Sequence, residues 1–318
     1  MSTAAKLSAY GAVLTLAFGG AWAAGSAVGP FPTGATAQSG HVGAGHAGGG
    51  DNHSGTVAGA PQDQLPAGLA STRDGYTLTS TTTTITPGST QNFSFRITGP
   101  DGTPVTRFDT EHDKRMHLIV VRRDTAGYQH LHPEMSPDGT WTVPMQLPLG
   151  GTYRVFADFA PTGGEDQTLE LDVSAPGTFE PIRQPSSRVA VVDGYQVRLD
   201  GELSPGRTSP VTLTVSKDGR PVADLQPYLA AYGHLVALRT GDLAYLHVHP
   251  EGAPGDGRTP AGPAITFQAE VPSAGTYRLF LDFQHQGQVR TAEFTVDTGP
   301  TGSQQPQPSS GDGHGSHG

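Results

Sequence analysis

Between about residues 74 and 298 apolar and polar side chains alternate at the period of a β-strand, in short runs separated by Gly-, Pro- and Asp-rich turns. In the first half the runs predict strands over about 76–86, 91–98, 117–123, 128–132, 140–147, 152–159 and 167–174. The same runs return in the second half. Asp74-Gly75-Tyr76 corresponds to Asp193-Gly194-Tyr195 and His117 to His234. Likewise, Gly151-Thr152-Tyr153-Arg154-Val155-Phe156-Ala157-Asp158-Phe159 corresponds to Gly275-Thr276-Tyr277-Arg278-Leu279-Phe280-Leu281-Asp282-Phe283. Self-similarity over this length means two copies of one domain. Strand number and turn spacing predict an all-β chain of two tandem immunoglobulin-like Greek-key β-sandwiches. They are placed at 73–176 and 189–298 with a linker at 177–188, and the segments leading into Tyr153 and Tyr277 fit a tyrosine corner.

Each copy contains a hairpin that carries chemistry. In the second, a Gly241-Asp242 loop of type II′ places Thr240 opposite Leu243, Val236 opposite His247 and His234 opposite His249. Strand alternation turns His247 and His249 one way and Leu246 and Val248 the other. The first copy repeats the spacing with His117, His130 and His132 around a loop at Asp124-Thr125: twelve residues separate the first and second histidines and one the second and third. Directly opposed Cβ atoms lie ~5 Å apart and diagonal ones ~7–8 Å, within reach of one cation held by ring nitrogens at ~2 Å.

In such a sandwich the sixth strand runs antiparallel beside the histidine strand, bringing Asp158 near His117 and Asp282 near His234. Tyr153, Val155 and Ala157 then face the core, while Arg154, Phe156 and Asp158 face outward with the histidines. Each aspartate is expected to be a fourth ligand or to hold an imidazole's tautomer; the alternative is a surface salt bridge to Arg154 or Arg278. The expected metal set is therefore His117, His130, His132 and Asp158 in one copy and His234, His247, His249 and Asp282 in the other. Whether the two faces act separately or meet is left open.

Composition narrows the chemistry. There is no cysteine, which excludes disulfides, thiolate metal sites and cysteine nucleophiles, and leaves 13 histidines as the main ligands. An imidazole set suits Cu(II) or Zn(II), and the Irving–Williams order favours copper. Met116 and Met135 flank the first set, but the second copy has no counterpart, so they are assigned to packing. The net charge of −10 argues against a nucleic-acid partner. No Ser/His/Asp arrangement or phosphate-binding loop is present, and the cupin three-histidine pattern is incomplete, so no catalytic role is expected. The rival reading is a metal-free structural or adhesive surface module.

Residues 7–28 carry no charge, and Ala21-Trp22-Ala23 fits a signal-peptidase site, so residues 1–29 are a signal peptide or a membrane anchor. Either way the rest is extracytoplasmic. The stretch 30–72, with His41, His46 and His53, and the tail 299–318, with His314 and His317, read as low-complexity linkers.

The run His117-Leu118-Ile119-Val120-Val121, then His130-Leu131-His132-Pro133, then the Gly-Thr-Tyr-Arg strand, with its second copy, resembles envelope proteins of high-GC bacteria that carry tandem His-x-His-Pro β-sandwich modules. Those are related in fold to YtkA/FixH-like and CopC-like domains. Over about residues 74–297 the resemblance implies the sandwich fold and a link to copper or other heavy-metal handling; apart from it, the expected partners are the metal ion itself, an envelope metal transporter to which the ion could be passed, and the membrane if residues 1–29 stay attached. The N-terminal amine histidine through which CopC-like proteins bind copper has no match here.

Overall fold

The computed structural model of the protein describes residues 66–246 and 248–298. The leader, most of the tether, His247 and the histidine-containing tail lie outside the described residues.

Strands of the first module are β1 (Thr72–Arg73), β2 (Tyr76–Ser80), β3 (Thr90–Thr98), β4 (His117–Arg122), β5 (Gln129–Leu131), β6 (Glu134–Met135), β7 (Thr140–Gln146), β8 (Gly151–Phe159) and β9 (Gln167–Ala175). Those of the second are β10 (Val189–Val192), β11 (Tyr195–Asp200), β12 (Thr208–Lys217), β13 (Arg220–Pro221), β14 (His234–Arg239), β15 (Tyr245–Leu246), β16 (Val248–Pro250), β17 (Ala264–Glu270), β18 (Gly275–His285) and β19 (Gln288–Thr298). Each module is a two-sheet immunoglobulin-like sandwich. In the first, β1-β2-β3-β7-β6 faces β5-β4-β8-β9; in the second, β10-β11-β12-β17-β16 faces β15-β14-β18-β19. Among the described residues there is no helix, hence none long and apolar enough to cross a membrane.

Alternation builds the cores. Phe93, Phe95 and Ile97 of β3 meet Trp141, Val143 and Met145 of β7 and Tyr153, Val155 and Ala157 of β8 in one buried cluster, and the second module repeats the arrangement around Phe267, Tyr277 and Phe294. Both tyrosine corners form. The Tyr153 hydroxyl donates to the Leu149 carbonyl at 3.0 Å and the Tyr277 hydroxyl to the Ser273 carbonyl at 2.8 Å, fixing the start of β8 and of β18.

The outward faces of the histidine strands meet each other instead of solvent. All six residues of β4 are buried. Leu118 and Val120 enter the core of their own module, whereas Ile119, Val121 and Phe156 join Val236, Leu238, Leu243, Tyr245 and Phe280 of the second in a third apolar cluster. The sheets β5-β4-β8-β9 and β15-β14-β18-β19 thus pack face to face. Tyr128 stacks on Phe280 at 4.0 Å, Arg123 donates to the Gly241 carbonyl at 2.6 Å, and the Tyr245 amide donates to the Ala67 carbonyl at 2.9 Å. Gly68 has φ +68°, and a Cβ there would sit 2.8 Å from the Phe156 ring and from the Tyr245 Cβ. Only a residue without a side chain lets this segment pass between the two modules.

The hairpin registers agree with the turn-based count: Ile119 pairs with His130 and Leu118 with Leu131, and Ala237 with Leu246 and Leu238 with Tyr245. The turn of the second hairpin is a different one. Its positive φ belongs to Leu243 (64°), not Gly241, and the Leu243 amide donates to the Arg239 carbonyl at 2.8 Å. Arg239 holds the Asp242 carboxylate at 2.9 Å, and Asp242 accepts from the Ala244 amide at 3.1 Å. That side-chain cap stabilises the wider loop.

Candidate metal centre

His117 opens β4 and His234 opens β14, equivalent positions on the two faces that pack together. Their rings stack at 5.4 Å with an 11° interplanar angle. His130 comes in from β5, 5.3 Å from His117 and 4.9 Å from His234. His132, just past β5, lies 4.8 Å from His130 and 5.2 Å from His117. One ring nitrogen each from His117, His130 and His234 fall within 4.8 Å of one another. Nitrogens on a tetrahedral ion with bonds of ~2.0–2.1 Å stand ~3.3 Å apart, so a small inward movement of the rings completes three bonds. The Nε2 of His132 is buried with no hydrogen-bond partner among the described residues, but it stands outside the group of nitrogens that lie within 4.8 Å of one another.

Among the described residues His117, His130 and His234 therefore form one cluster made by both modules, with His132 beside it. His249 does not join it. It is exposed on β16, where it pairs with Gln268 of β17 in the opposite sheet. The cause is the point at which the chain changes sheets. The first module keeps its hairpin through Leu131 and joins the other sheet only at Glu134, so His132 stays at the interface; the second has already crossed at Val248. The pairing of His234 with His249 expected from the turn is therefore not made. His247 lies outside the described residues.

The registers His117–Asp158 and His234–Asp282 are as the fold requires. Both carboxylates, however, reach across to the other module. Asp282 accepts from Thr291 at 2.6 Å and from the His130 Nδ1–H at 2.8 Å. In the mirrored arrangement Asp158 accepts from Thr168 at 2.8 Å and from the Tyr245 hydroxyl at 3.3 Å. Arg154 pairs with Glu170 and Asp172, and Arg278 with Glu293, so the surface salt bridges to the aspartates are not made.

These contacts determine where the lone pairs point. His117 Nε2–H donates to the Glu111 carbonyl at 3.1 Å, and His130 Nδ1–H donates to Asp282. The inner nitrogens, His117 Nδ1 and His130 Nε2, then face each other at 3.0 Å. Three N–H groups are needed along this chain of contacts and two neutral rings supply two. With both rings neutral, the two inner nitrogens therefore turn lone pairs toward each other.

Burial, then the neighbouring His130, holds His117 down at about 4, and burial, then His130 and His117, holds His132 down at about 3, both below the ordinary 6.5. Burial, then Asp282, pushes Tyr228 up to about 12, and burial lifts Tyr128 and Tyr245 far above the ordinary tyrosine range. For the histidines the folded state resists protonation while the unfolded chain accepts it, so stability is full above pH ~6.5 and falls as the pH drops toward ~4. For His117 the span from 6.5 to about 4 corresponds to about 3 kcal/mol. Chelator-treated protein should show this as a lower urea midpoint at about pH 4.5 than at about pH 7, and His117→Asn should flatten the difference.

Sequence reasoning missed His112, whose ring lies 5.3 Å from His234 and 6.1 Å from His117. It has no partner in the His-x-His pattern, and its position depends on the turn that carries it. It also missed Tyr245, which reaches Asp158, and Tyr228, 6.4 Å from His132. Glu111, His112, Asp158, His234 and Tyr245 line a space of about 10 Å³, room for an ion or a single water.

The family described as "Domain of unknown function (DUF8832)" matches twice, over residues 70–177 and 190–299. No curated protein matches the chain. Among solved structures, the Escherichia coli adhesin FdeC is 14% identical with a TM-score of 0.23, over 71% of this chain and 64% of that one. Invasin, a bacterial integrin-binding protein, is 11% identical with a TM-score of 0.21, over 70% of this chain and 39% of that one. The Ig1-2 module of the Drosophila receptor protein tyrosine phosphatase DLAR is 7% identical with a TM-score of 0.19, over 70% of this chain and 98% of that one. This chain thus spans less than two thirds of the adhesin and of invasin.

Proposed function

This chain belongs to the DUF8832 family, and from the geometry of its histidine cluster we propose that it is an extracytoplasmic metal-binding protein that holds one ion, copper before zinc, between its two modules for sequestration or delivery. The observation that carries the reading is the convergence of His117, His130 and His234, with the inner nitrogens of two rings aimed at each other by hydrogen bonds to Glu111 and Asp282. Neutral imidazoles without thiolates or methionines suit Cu(II), with Zn(II) next. His132, with its ring 4.8 Å from that of His130 and its buried Nε2 unpartnered among the described residues, is the candidate fourth ligand after its ring turns inward. A binding role is the reading that the small space beside the rings supports. The uncharged residues 7–28 support export, with that segment cleaved or kept as an anchor, and an envelope metal transporter is the fitting recipient.

Titrating the full chain with copper(II) against a competing chelator that strips weak histidine sites should leave one tight equivalent per chain. Absence of any tight equivalent would refute the reading, and the seam between the modules would then be a structural joint alone. Because burial keeps His117 neutral at pH 7, loading there should release few protons from it, and the release should grow as the pH falls toward about 4; calorimetry in buffers of different ionisation enthalpy reads this directly. Asp282→Asn removes the charge that fixes the His130 tautomer and should weaken copper(II) binding about ten- to a hundredfold without removing a ligand.

A further inference from the structure

Residues 111–114 form a tight turn over the cluster. Glu111 and Lys114 exchange backbone hydrogen bonds of 2.8 and 2.9 Å, and His112 and Asp113 between them are both left-handed, with φ of 46° and 64°. The second module has the same turn: Tyr228 and Ala231 exchange bonds of 2.8 and 3.2 Å around Leu229 and Ala230, with φ of 54° and 60°. The backbone shape therefore belongs to the fold, and the imidazole belongs to the first module alone. Left-handed non-glycine residues cost of order 1 kcal/mol each, a cost that Leu229 and Ala230 bear without any histidine, so strain does not explain His112.

Position does. The His117 ring is 5% exposed and His234 9% exposed, whereas His112 is only half-buried and borders the small space beside Asp158 and His234. A bare divalent ion does not cross into a buried site without large desolvation cost. It moves by exchanging one ligand at a time. His112 stands one ring outward from both His234 and His117, where a single imidazole can hold an ion that still keeps its outer ligands.

Resting on the copper reading above, we infer that His112 is the transfer ligand through which the ion passes between solvent, or a small nitrogen- and oxygen-bearing copper chelate, and the buried rings. It acts on the rate of exchange and not on the equilibrium. The test is His112→Asn in the full chain, since asparagine suits the left-handed turn and lacks the imidazole. Copper(II) supplied as its nitrilotriacetate chelate is followed by quenching of tryptophan and tyrosine fluorescence in stopped flow, removal by excess EDTA gives the reverse rate, and chelator competition gives the affinity. Both rates should fall at least about tenfold with the dissociation constant unchanged within about threefold, because equal changes in the two rates cancel at equilibrium. Unchanged rates, or an affinity loss of about tenfold or more that marks an equilibrium ligand, would overturn the inference while leaving the site intact. A parent chain with no tight copper equivalent removes the site itself, and so the two failures are told apart.

Discussion

His234→Ala, in the second module, is expected to remove the same single tight copper(II) equivalent that His117→Ala removes in the first. Each ring contributes to one cluster, in which the two stack at 5.4 Å. Affinity should fall at least about a hundredfold in either variant, since loss of a ligand exceeds the ten- to hundredfold typical of its outer hydrogen-bond partners. The double variant should be little worse than either single one, because residues acting on one ion are not additive. His249→Ala, exposed on β16 and outside the cluster, is the matched control and should bind as the parent does. Chelator-competition titration of the four proteins decides the matter. If each single variant kept one tight equivalent, the sites would be separate and the composite cluster wrong.

Phe280→Ala is expected to cost about 3–5 kcal/mol of stability, the range for truncating a buried phenylalanine. Phe280 is fully buried between the modules, stacked on Tyr128 at 4.0 Å and 5°, with the Arg278 guanidinium 5.0 Å from its ring centre. It touches no ring nitrogen of the cluster, but it lies on β18 two residues before Asp282, the partner of His130. Loosening the seam therefore lets the two halves of the cluster separate, and copper(II) affinity should fall along with the urea midpoint. Phe156→Ala, its counterpart on β8, should act in the same direction. Normal affinity in a destabilised Phe280→Ala protein would mean that the histidines hold their arrangement without the apolar seam.

Much of this was legible in the amino-acid order. Alternation along Tyr153, Val155 and Ala157 identifies the core face of β8, the turns limit strand length, and the repeated motifs declare two copies. The hairpin registers of His130 and of Tyr245 follow from counting outward from the loops, because antiparallel pairing close to a turn is a local event. The neighbours of His117 and His234 across the strand, Asp158 and Asp282, follow instead from the strand order of the sandwich class, in which the sixth strand runs antiparallel beside the histidine strand.

What the order of residues left open was where the outward faces go. His117-Leu118-Ile119-Val120-Val121 is apolar on both sides, a pattern that marks a strand covered on both faces, yet it cannot say that the cover is the other module. Only face-to-face packing of the modules stacks His117 on His234, turns Asp282 toward His130, and brings in His112. The exclusion of His249 was equally out of reach, since the sheet that β16 joins depends on pairing with the distant β17. Sequence alone determined the two β-sandwiches, their duplication and the ring-bearing hairpins, because strand periodicity and tight turns are short-range. The tertiary structure decided that His117 and His130 of the first module and His234 of the second converge in one cluster, because burial of Ile119, Val121, Phe156, Val236, Leu238 and Phe280 against one another is a long-range hydrophobic event that no local pattern encodes.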